Sequence, residues 1–188
     1  DGSLVSQIEK EIESTVGKLL MKETPWAGFQ GEEGFIYHTS NNSGYKWYMD
    51  PIDGTISFRN KLDTYGMTLT LVKDNTPIAT VIDFPQLQQT FTVYKGHGAF
   101  KNQQRLNIKA KNINNKHAVV AHSDKYAFDL ANRGHLYPKL ANMPFVPRAY
   151  TDIHGYTLVA EGKVAAKIDI AGALWDLFPG FLLIQEAG

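Results

Sequence analysis

The stretch from Tyr65 to Ile108 constrains the fold most, because its apolar residues alternate with polar ones. Met67, Leu69 and Leu71 alternate with threonines, and a turn at 74–77 separates this segment from the next. A period of two is typical of strands with one buried face. Since turn residues divide the segments, this stretch predicts an antiparallel meander that packs one face against helices.

Helical signals lie on both sides of the meander. A first helix is predicted before Pro25, which ends the pattern. Its apolar face consists of Leu4, Val5, Ile8, Ile12, Val16 and Leu19. A second helix is predicted over Tyr156–Glu161, with Gly162 at its C-terminal end, and a third over Trp175–Glu186.

Strands are predicted over 45–49, ending abruptly at Asp50-Pro51, and also over 118–122 and 164–170. This order of elements predicts a mixed α/β or α+β chain. The polar segment 109–116 predicts a boundary between an N-terminal α+β subdomain, 1–112, and a C-terminal α/β subdomain, 113–188.

Composition excludes several classes of function. The absence of cysteine excludes disulfide scaffolds, thiolate zinc sites and cysteine nucleophiles. The 19 basic and 19 acidic residues balance, which argues against a broad nucleic-acid or anionic-membrane surface. No apolar run approaches the roughly 18 residues of a membrane span. These observations favour a cytoplasmic enzyme without nucleic-acid or membrane partners.

The segment around Asp50-Pro-Ile-Asp-Gly-Thr55 carries the strongest chemical signal. Asp50 and Asp53 follow a predicted buried strand, and Gly54 allows a tight turn before Thr55. Free backbone N–H groups at a following helix start could hold an anion, and Mg²⁺ would reconcile that anion with two carboxylates. In the alternative, both aspartates are turn and capping residues. This segment alone leaves the two interpretations open.

Further acidic residues favour the metal interpretation. Glu32 and Glu33 lie between glycines upstream, and Asp176 follows Trp175 at a predicted helix start. Asp176 also has an alternative as a helix N-cap. No histidines have the HExxH spacing of a zinc site.

Three motifs together resemble the signatures of the inositol monophosphatase family: GEE, WYMDPIDGTISF and WDLFPGFLLIQEAG, in that order. Within the family, the segments ATVIDFPQLQQ and RAYTDIHGYTLVAEGKVAAKID are most similar to the histidinol-phosphate phosphatase-like branch. The resemblance implies a layered α-β-α-β-α sandwich, a homodimer, and hydrolysis of a small phosphate monoester with two or three Mg²⁺ ions.

The resemblance also implies a role for each matching residue. The implied metal ligands are Glu32, Asp50 as the bridge between two ions, the Ile52 carbonyl, Asp53 and Asp176. Gly54 and Thr55 match the phosphate-binding turn, and Thr55 also matches the residue that orients the attacking water. Asp169 matches a residue that contacts the rest of the substrate, and Asp152 is placed in the same pocket.

The chain departs from the family pattern at three places. Glu9 stands where the family has aspartate, so it could support the water or a third ion through Thr55, or form a capping box with Ser6. Pro179 interrupts the last helix, which is tolerated if that helix starts at Asp176. Both ends look short compared with the family, so the C-terminal subdomain is expected to be truncated.

We predict histidinol phosphate as the substrate, with an inositol or sugar phosphate as the second candidate. Two other classes of function stay open. One is a non-catalytic binder of phosphate ligands, and the other is a Ca²⁺-binding structural module.

Overall fold

The computed structural model describes residues 4–39 and 43–188. The helices are α1 (Leu4–Glu23), α2 (Thr55–Arg59), α3 (Lys125–Leu130), a 3₁₀ helix (Gly134–Asn142), α4 (Asp152–Ala160) and α5 (Leu174–Ala187). The strands are β1 (Gly28–Gly31), β2 (Ile36–Tyr37), β3 (Tyr45–Asp53), β4 (Gly66–Lys73), β5 (Thr76–Phe84), β6 (Gln89–Tyr94), β7 (Gly98–Lys101), β8 (Gln104–Arg105), β9 (Val119–His122), β10 (Val146–Arg148) and β11 (Ala166–Ile168).

The strands form one large mixed sheet and one small parallel sheet. The large sheet has eight strands in the order β2-β1-β3-β4-β5-β6-β7-β8, and the small one has three in the order β10-β9-β11. From β3 to β8 every neighbouring pair is antiparallel, which confirms the predicted meander. The pair β1–β3 and both pairs of the small sheet are parallel.

Two neighbouring residues of β3 show that helices cover both faces of the large sheet. The Trp47 indole N–H donates to the Thr24 hydroxyl just after α1, whereas the Tyr48 ring packs edge-on against Phe178 of α5. Successive side chains of a strand point to opposite faces, so α1 and α5 lie on opposite sides.

The small sheet packs on the far side of α4. Ala121 of β9 contacts Val159 of α4, and Tyr137 of the 3₁₀ helix packs against His122. The main core lies between the large sheet and the helices α4 and α5, where Phe84 and Phe91 meet Leu182 and Leu183. This arrangement is the predicted layered sandwich.

The predicted ends of β3 and α4 differ from the structure. β3 continues through Pro51 to Asp53 rather than stopping at Asp50, and its pairing with β4 shifts register there, because proline has no N–H for the ladder. Helix α4 begins at Asp152, four residues before its predicted start. Gly162 does follow this helix with φ of 67°, as predicted for a residue after a helix end.

The buried side of α1 differs from the predicted apolar face. Its buried positions are Glu9, Glu13 and Gly17, whereas Leu19 is 57% exposed. The side chains of Leu4 and Val5 lie outside the described residues. Residues four apart occupy the same helix face, so two carboxylates and a glycine form a continuous buried stripe.

No prediction was made for β1, β2, α3, the 3₁₀ helix or β10. These are short elements without a clear period, and Ile36–Tyr37 of β2 has just two residues. The division into subdomains 1–112 and 113–188 stays a prediction. Within the described ranges, no helix is both long and apolar enough to cross a membrane.

Candidate metal and phosphate site

Three carboxylates from distant parts of the chain converge at one end of the large sheet. Asp50 and Asp53 lie on either side of the register shift in β3, and Asp176 lies in the first turn of α5. One carboxylate oxygen from each residue lies within 4.8 Å of the others. The structure therefore brings together three of the acids that the sequence assigned to one site.

A backbone N–H fixes one oxygen of each of these carboxylates. Asp50 accepts from Ile52 at 2.9 Å, Asp53 accepts from Ile153 at 2.8 Å, and Asp176 accepts from Ala173 at 2.8 Å. These hydrogen bonds orient the carboxyl groups, each of which has a second oxygen for another ligand.

Glu32 extends the acidic cluster from the loop that follows β1. Its N–H donates to the Met49 carbonyl at 3.1 Å, and its side chain lies close enough to Asp50 for each carboxyl group to shift the pKa of the other. In this protein Glu32 is thus next to Asp50, although it is not one of the three acids grouped within 4.8 Å.

Burial and mutual repulsion raise the pKa of every acid in the cluster. Burial is the largest cause for Asp50 and Asp53, followed by the charge of Asp53 for Asp50 and that of Asp152 for Asp53. The pKa of Glu32 is raised to about 7, first by burial and then by Asp176 and Glu33, against the lowering effect of its hydrogen bond with Asp50. The donor set is all oxygen, which fits a hard divalent cation such as Mg²⁺.

Thr55 follows the cluster at the start of α2. Its hydroxyl lies 3.3 Å from the Glu9 carboxylate and 3.3 Å from the Ile52 carbonyl, both of which can accept its proton. Gly54 precedes it with φ of 87°, a conformation that favours glycine. The structure thus brings Glu9, Ile52, Gly54 and Thr55 together beside the acids.

Of the two alternatives based on helix capping, the one for Glu9 is not met, whereas Asp176 does cap its helix, as the third residue rather than as the N-cap. Helix α1 is already helical at Leu4, two residues before Ser6, so Ser6 and Glu9 do not straddle its start. Asp176 is the third residue of α5 rather than its N-cap, and its carboxylate reaches back to the Ala173 N–H.

Pro179 lies deeper in α5 than predicted, since this helix begins at Leu174. Proline cannot donate to the carbonyl four residues earlier, which belongs to Trp175. The buried Thr68 hydroxyl of β4 donates to that carbonyl at 3.1 Å. The hydrogen bond that the proline removes from the helix is therefore replaced from the sheet.

The acidic cluster lines a cavity of about 350 Å³. Asp152 and Asp169, both predicted to contact substrate, line the same cavity, together with Asp124 and Ser123. Asp152 has a φ of 55°, which is unusual for a residue other than glycine, and its carboxylate accepts from the Thr151 hydroxyl at 2.7 Å.

Asp169 is held by two donors. The Ser123 hydroxyl lies 2.5 Å from its carboxylate, and the Lys167 ammonium lies 3.0 Å from it. The Lys167 side chain is 2% exposed. This carboxylate is therefore fixed in place at the cavity wall.

Sequence reasoning missed Glu13, Thr68, Asp124 and Lys167. Glu13 lies four residues after Glu9, a spacing that places both on one helix face, so it was detectable once Glu9 was singled out. Asp124 precedes α3 and its carboxylate accepts from the Ala127 N–H, which is an ordinary N-cap pattern. Thr68 carried no comparable signal, because its partner depends on how α5 packs.

Comparisons with known proteins agree with this geometry. A model described as the inositol monophosphatase family matches residues 1–188. A histidinol-phosphatase of Chlorobaculum parvum is 30% identical over 188 residues, covering 100% of this chain and 71% of that protein. An inositol-1-monophosphatase of Rhizobium meliloti is 28% identical over 192 residues, covering 98% of this chain and 70% of that protein.

The fold matches solved structures as well. An inositol monophosphatase from Anabaena superposes with a TM-score of 0.85 at 22% identity, covering 100% of this chain and 75% of that one. At this identity the likeness establishes the fold.

Proposed function

Because the chain belongs to the inositol monophosphatase family, whose members are phosphoric monoester hydrolases, we propose that it hydrolyses a small phosphate monoester at the acidic cluster. The observation that carries this proposal is the convergence of Asp50, Asp53 and Asp176 in the wall of a cavity. Grouped carboxylates with raised pKa values are costly without a cation, and the cavity leaves room for a ligand beside them.

We assign the metal ligands from the sequence and the positions of the side chains. Glu32, Asp50, Asp53, Asp176 and the Ile52 carbonyl would hold two or three Mg²⁺ ions, since the family is metal-dependent and typically uses Mg²⁺. Bound there, Mg²⁺ supplies charge neutralisation for the phosphate and acidifies a water molecule. The chain supplies orientation through the backbone N–H groups that fix the three aspartates.

Thr55 and Glu9 supply a path for a proton. The Thr55 hydroxyl donates to Glu9, so its oxygen lone pairs can accept a hydrogen bond from a water at the cluster. That water would be aligned for attack on phosphorus, while Gly54 and Thr55 would hold the phosphate at the turn. Burial, followed by the charge of Glu33, raises the pKa of the Glu9 carboxyl group, which makes it a stronger proton acceptor.

The charge of the cavity favours histidinol phosphate over other phosphate esters. Asp124 and Asp152 both line the cavity, and the pKa of Asp152 is raised by burial and then by the charges of Asp124 and Asp169, against the lowering effects of the Thr151 hydroxyl and Lys167. An ammonium group on the substrate would relieve this repulsion, and histidinol phosphate carries one. The name of the Chlorobaculum relative supports the same choice. An inositol or sugar phosphate is the alternative, with its hydroxyl groups donating to Asp169.

The test is the variant Asp50→Asn, with the exposed Asp63→Asn as its matched control. Removing one charge of the proposed bridge should lower phosphate release in Mg²⁺ by about three orders of magnitude or more, with the fold intact. Circular dichroism checks the fold, and the control should keep wild-type activity. Full activity in a folded Asp50→Asn protein would refute the metal-dependent mechanism at this site.

The substrate is tested with a panel that includes histidinol phosphate, inositol 1-phosphate and sugar phosphates. Histidinol phosphate should give the highest kcat/KM. A folded wild type that binds phosphate but releases none from any ester would favour the non-catalytic binder, and activity supported by Ca²⁺ rather than Mg²⁺ would contradict the magnesium assignment. We also propose a homodimer in the cytoplasm, which sedimentation and fractionation would test.

A further inference from the structure

The carboxylate of Glu13 lies under the loop that carries Glu32. Glu13 is 1% exposed on the buried stripe of α1. Its two oxygens accept the backbone N–H groups of Glu33 at 2.7 Å and Phe35 at 2.5 Å. A single side chain therefore holds the residues that immediately follow Glu32.

The neighbouring residues leave space for this carboxylate and restrict the loop. A Cβ atom on Gly31 would lie 2.0 Å from the Glu13 carboxyl carbon, so glycine is required for the contact. One turn along α1, a Cβ on Gly17 would lie 2.6 Å from the Phe35 ring. The loop therefore packs directly against α1 on both sides of the Glu13 carboxylate, at Gly31 and at Phe35.

The other end of the loop is fixed by the sheet. The Glu32 N–H donates to the Met49 carbonyl at 3.1 Å, and the Gly31 N–H donates to the Phe35 carbonyl at 3.0 Å. Met49 directly precedes Asp50 in β3. With Glu13 on one side and Met49 on the other, the loop places the Glu32 side chain in the wall of the cavity that Asp50 also lines.

We infer that Glu13 is a positioning residue that sets the metal affinity of the site, because it fixes the loop from which Glu32 reaches the cluster. This inference rests on the proposed role of Glu32 as a metal ligand. Glu13 touches neither metal nor substrate in this account. Its loss should weaken the binding of divalent cations and leave the rate at saturating metal nearly unchanged.

The variant Glu13→Gln tests the inference. The glutamine keeps one acceptor oxygen, but its NH₂ group faces a backbone N–H, so the loop loses one of its two hydrogen bonds. We expect the dissociation constant for Mn²⁺, measured from the EPR signal of the free ion, to rise about tenfold, as for other groups that orient metal ligands. The Mg²⁺ concentration for half-maximal activity should rise in parallel, with kcat at saturation within about twofold of wild type.

Two controls separate positioning from general destabilisation. Glu11→Gln makes the same change on the exposed side of α1 and should leave Mn²⁺ affinity unchanged. Val164→Ala opens a cavity in the packing between α4 and β9, so it should lower the Tm without changing Mn²⁺ affinity.

Gly31→Ala gives an independent test that keeps the Glu13 carboxyl group. The added methyl group displaces the carboxylate, so the rise in the Mn²⁺ dissociation constant should recur. Wild-type Mn²⁺ affinity in a folded Glu13→Gln or Gly31→Ala protein would overturn the inference, as would failure of both variants to fold. Absence of Mn²⁺ binding by the wild type would instead refute the proposed metal site itself.

Discussion

Individual side chains in the site are oriented by backbone groups. Asp50, Asp53 and Asp176 each accept from one backbone N–H, and Thr55 is held between Glu9 and Ile52. Backbone donors cannot change rotamer, so the reacting groups are fixed before a ligand binds. Preorganised groups of this kind lower the cost of reaching the transition state.

The hydroxyl of Thr55 gives the sharpest prediction at this scale. Thr55→Val keeps the shape but removes the link between water and Glu9, so kcat should fall about 100-fold with little change in Mn²⁺ affinity. Thr55→Ser, which keeps the hydroxyl, should retain activity within about tenfold, because only a methyl group is lost. Steady-state kinetics measures both. Equal losses in the two variants would show that the hydroxyl has no role in proton transfer.

The sequence identified most residues of the candidate site because the motif places them in short, recognisable segments. Asp50, Asp53, Gly54 and Thr55 lie within six positions of one another. The spacing of Glu13 from Glu9 places it on the same helix face, but its partners could not be predicted, since they are backbone N–H groups 20 and 22 residues later. Every residue except proline has a backbone N–H group, so the identity of a residue does not indicate such a contact. Contacts of this class are found only from the structure.

Among the elements, α5 joins the acidic cluster to the large sheet. It carries Asp176 in its first turn and Pro179 one turn later, and the carbonyl freed by Pro179 accepts from Thr68. The helix starts one residue before its predicted start at Trp175, and two residues before Asp176, the start for which Pro179 would lie in the first turn. Helix ends depend on local capping, here between Ala173 and Asp176, and are the least predictable part of an element.

A double-mutant cycle tests the contact between Thr68 and α5. Thr68→Val should lower the free energy of unfolding by about 1–3 kcal/mol, because the Trp175 carbonyl loses its buried donor. In a Pro179→Ala background the alanine N–H can supply that hydrogen bond, so the cost of Thr68→Val should shrink. Urea denaturation of the four proteins gives the coupling. Additive effects would show that the hydroxyl and the proline act independently.

At the scale of the whole molecule, the site depends on packing between layers. Its acids come from β3, from the loop after β1 and from α5, so folding forces carboxylates with raised pKa values into contact. The mixed α/β class and the meander were predicted from the periodicity of apolar residues. The layered sandwich was predicted from the family motifs. The buried face of α1 was not predicted correctly, because its buried stripe is polar and the apolar pattern indicated another face.

Stability without metal should fall as pH rises. The folded-state pKa of Glu32 is about 7, above the value of about 4.3 in an unfolded chain, so the folded state binds more protons between these values. Stability from this group is present below about pH 4 and is lost as pH rises through about 7. In EDTA the Tm should therefore be higher at pH 6 than at pH 8.

Mg²⁺ should reverse this trend. At about a hundred times its dissociation constant, an ion that binds the folded state adds about 2.7 kcal/mol, and it binds better once the carboxylates are deprotonated. Differential scanning calorimetry at pH 6 and pH 8 measures both effects. A Tm in EDTA that rises from pH 6 to pH 8 would contradict the raised pKa values.

Helix α1 contacts two separate parts of the site from consecutive turns, with Glu9 at the Thr55 hydroxyl and Glu13 at the loop of Glu32. The pitch of a helix, about 5.4 Å per turn, therefore fixes the spacing between these two supports. One residue inserted between Glu9 and Glu13 would rotate one carboxylate by about 100° relative to the other. The interval between them thus cannot vary in length, unlike an exposed surface turn, and evolution can change it only by substitution.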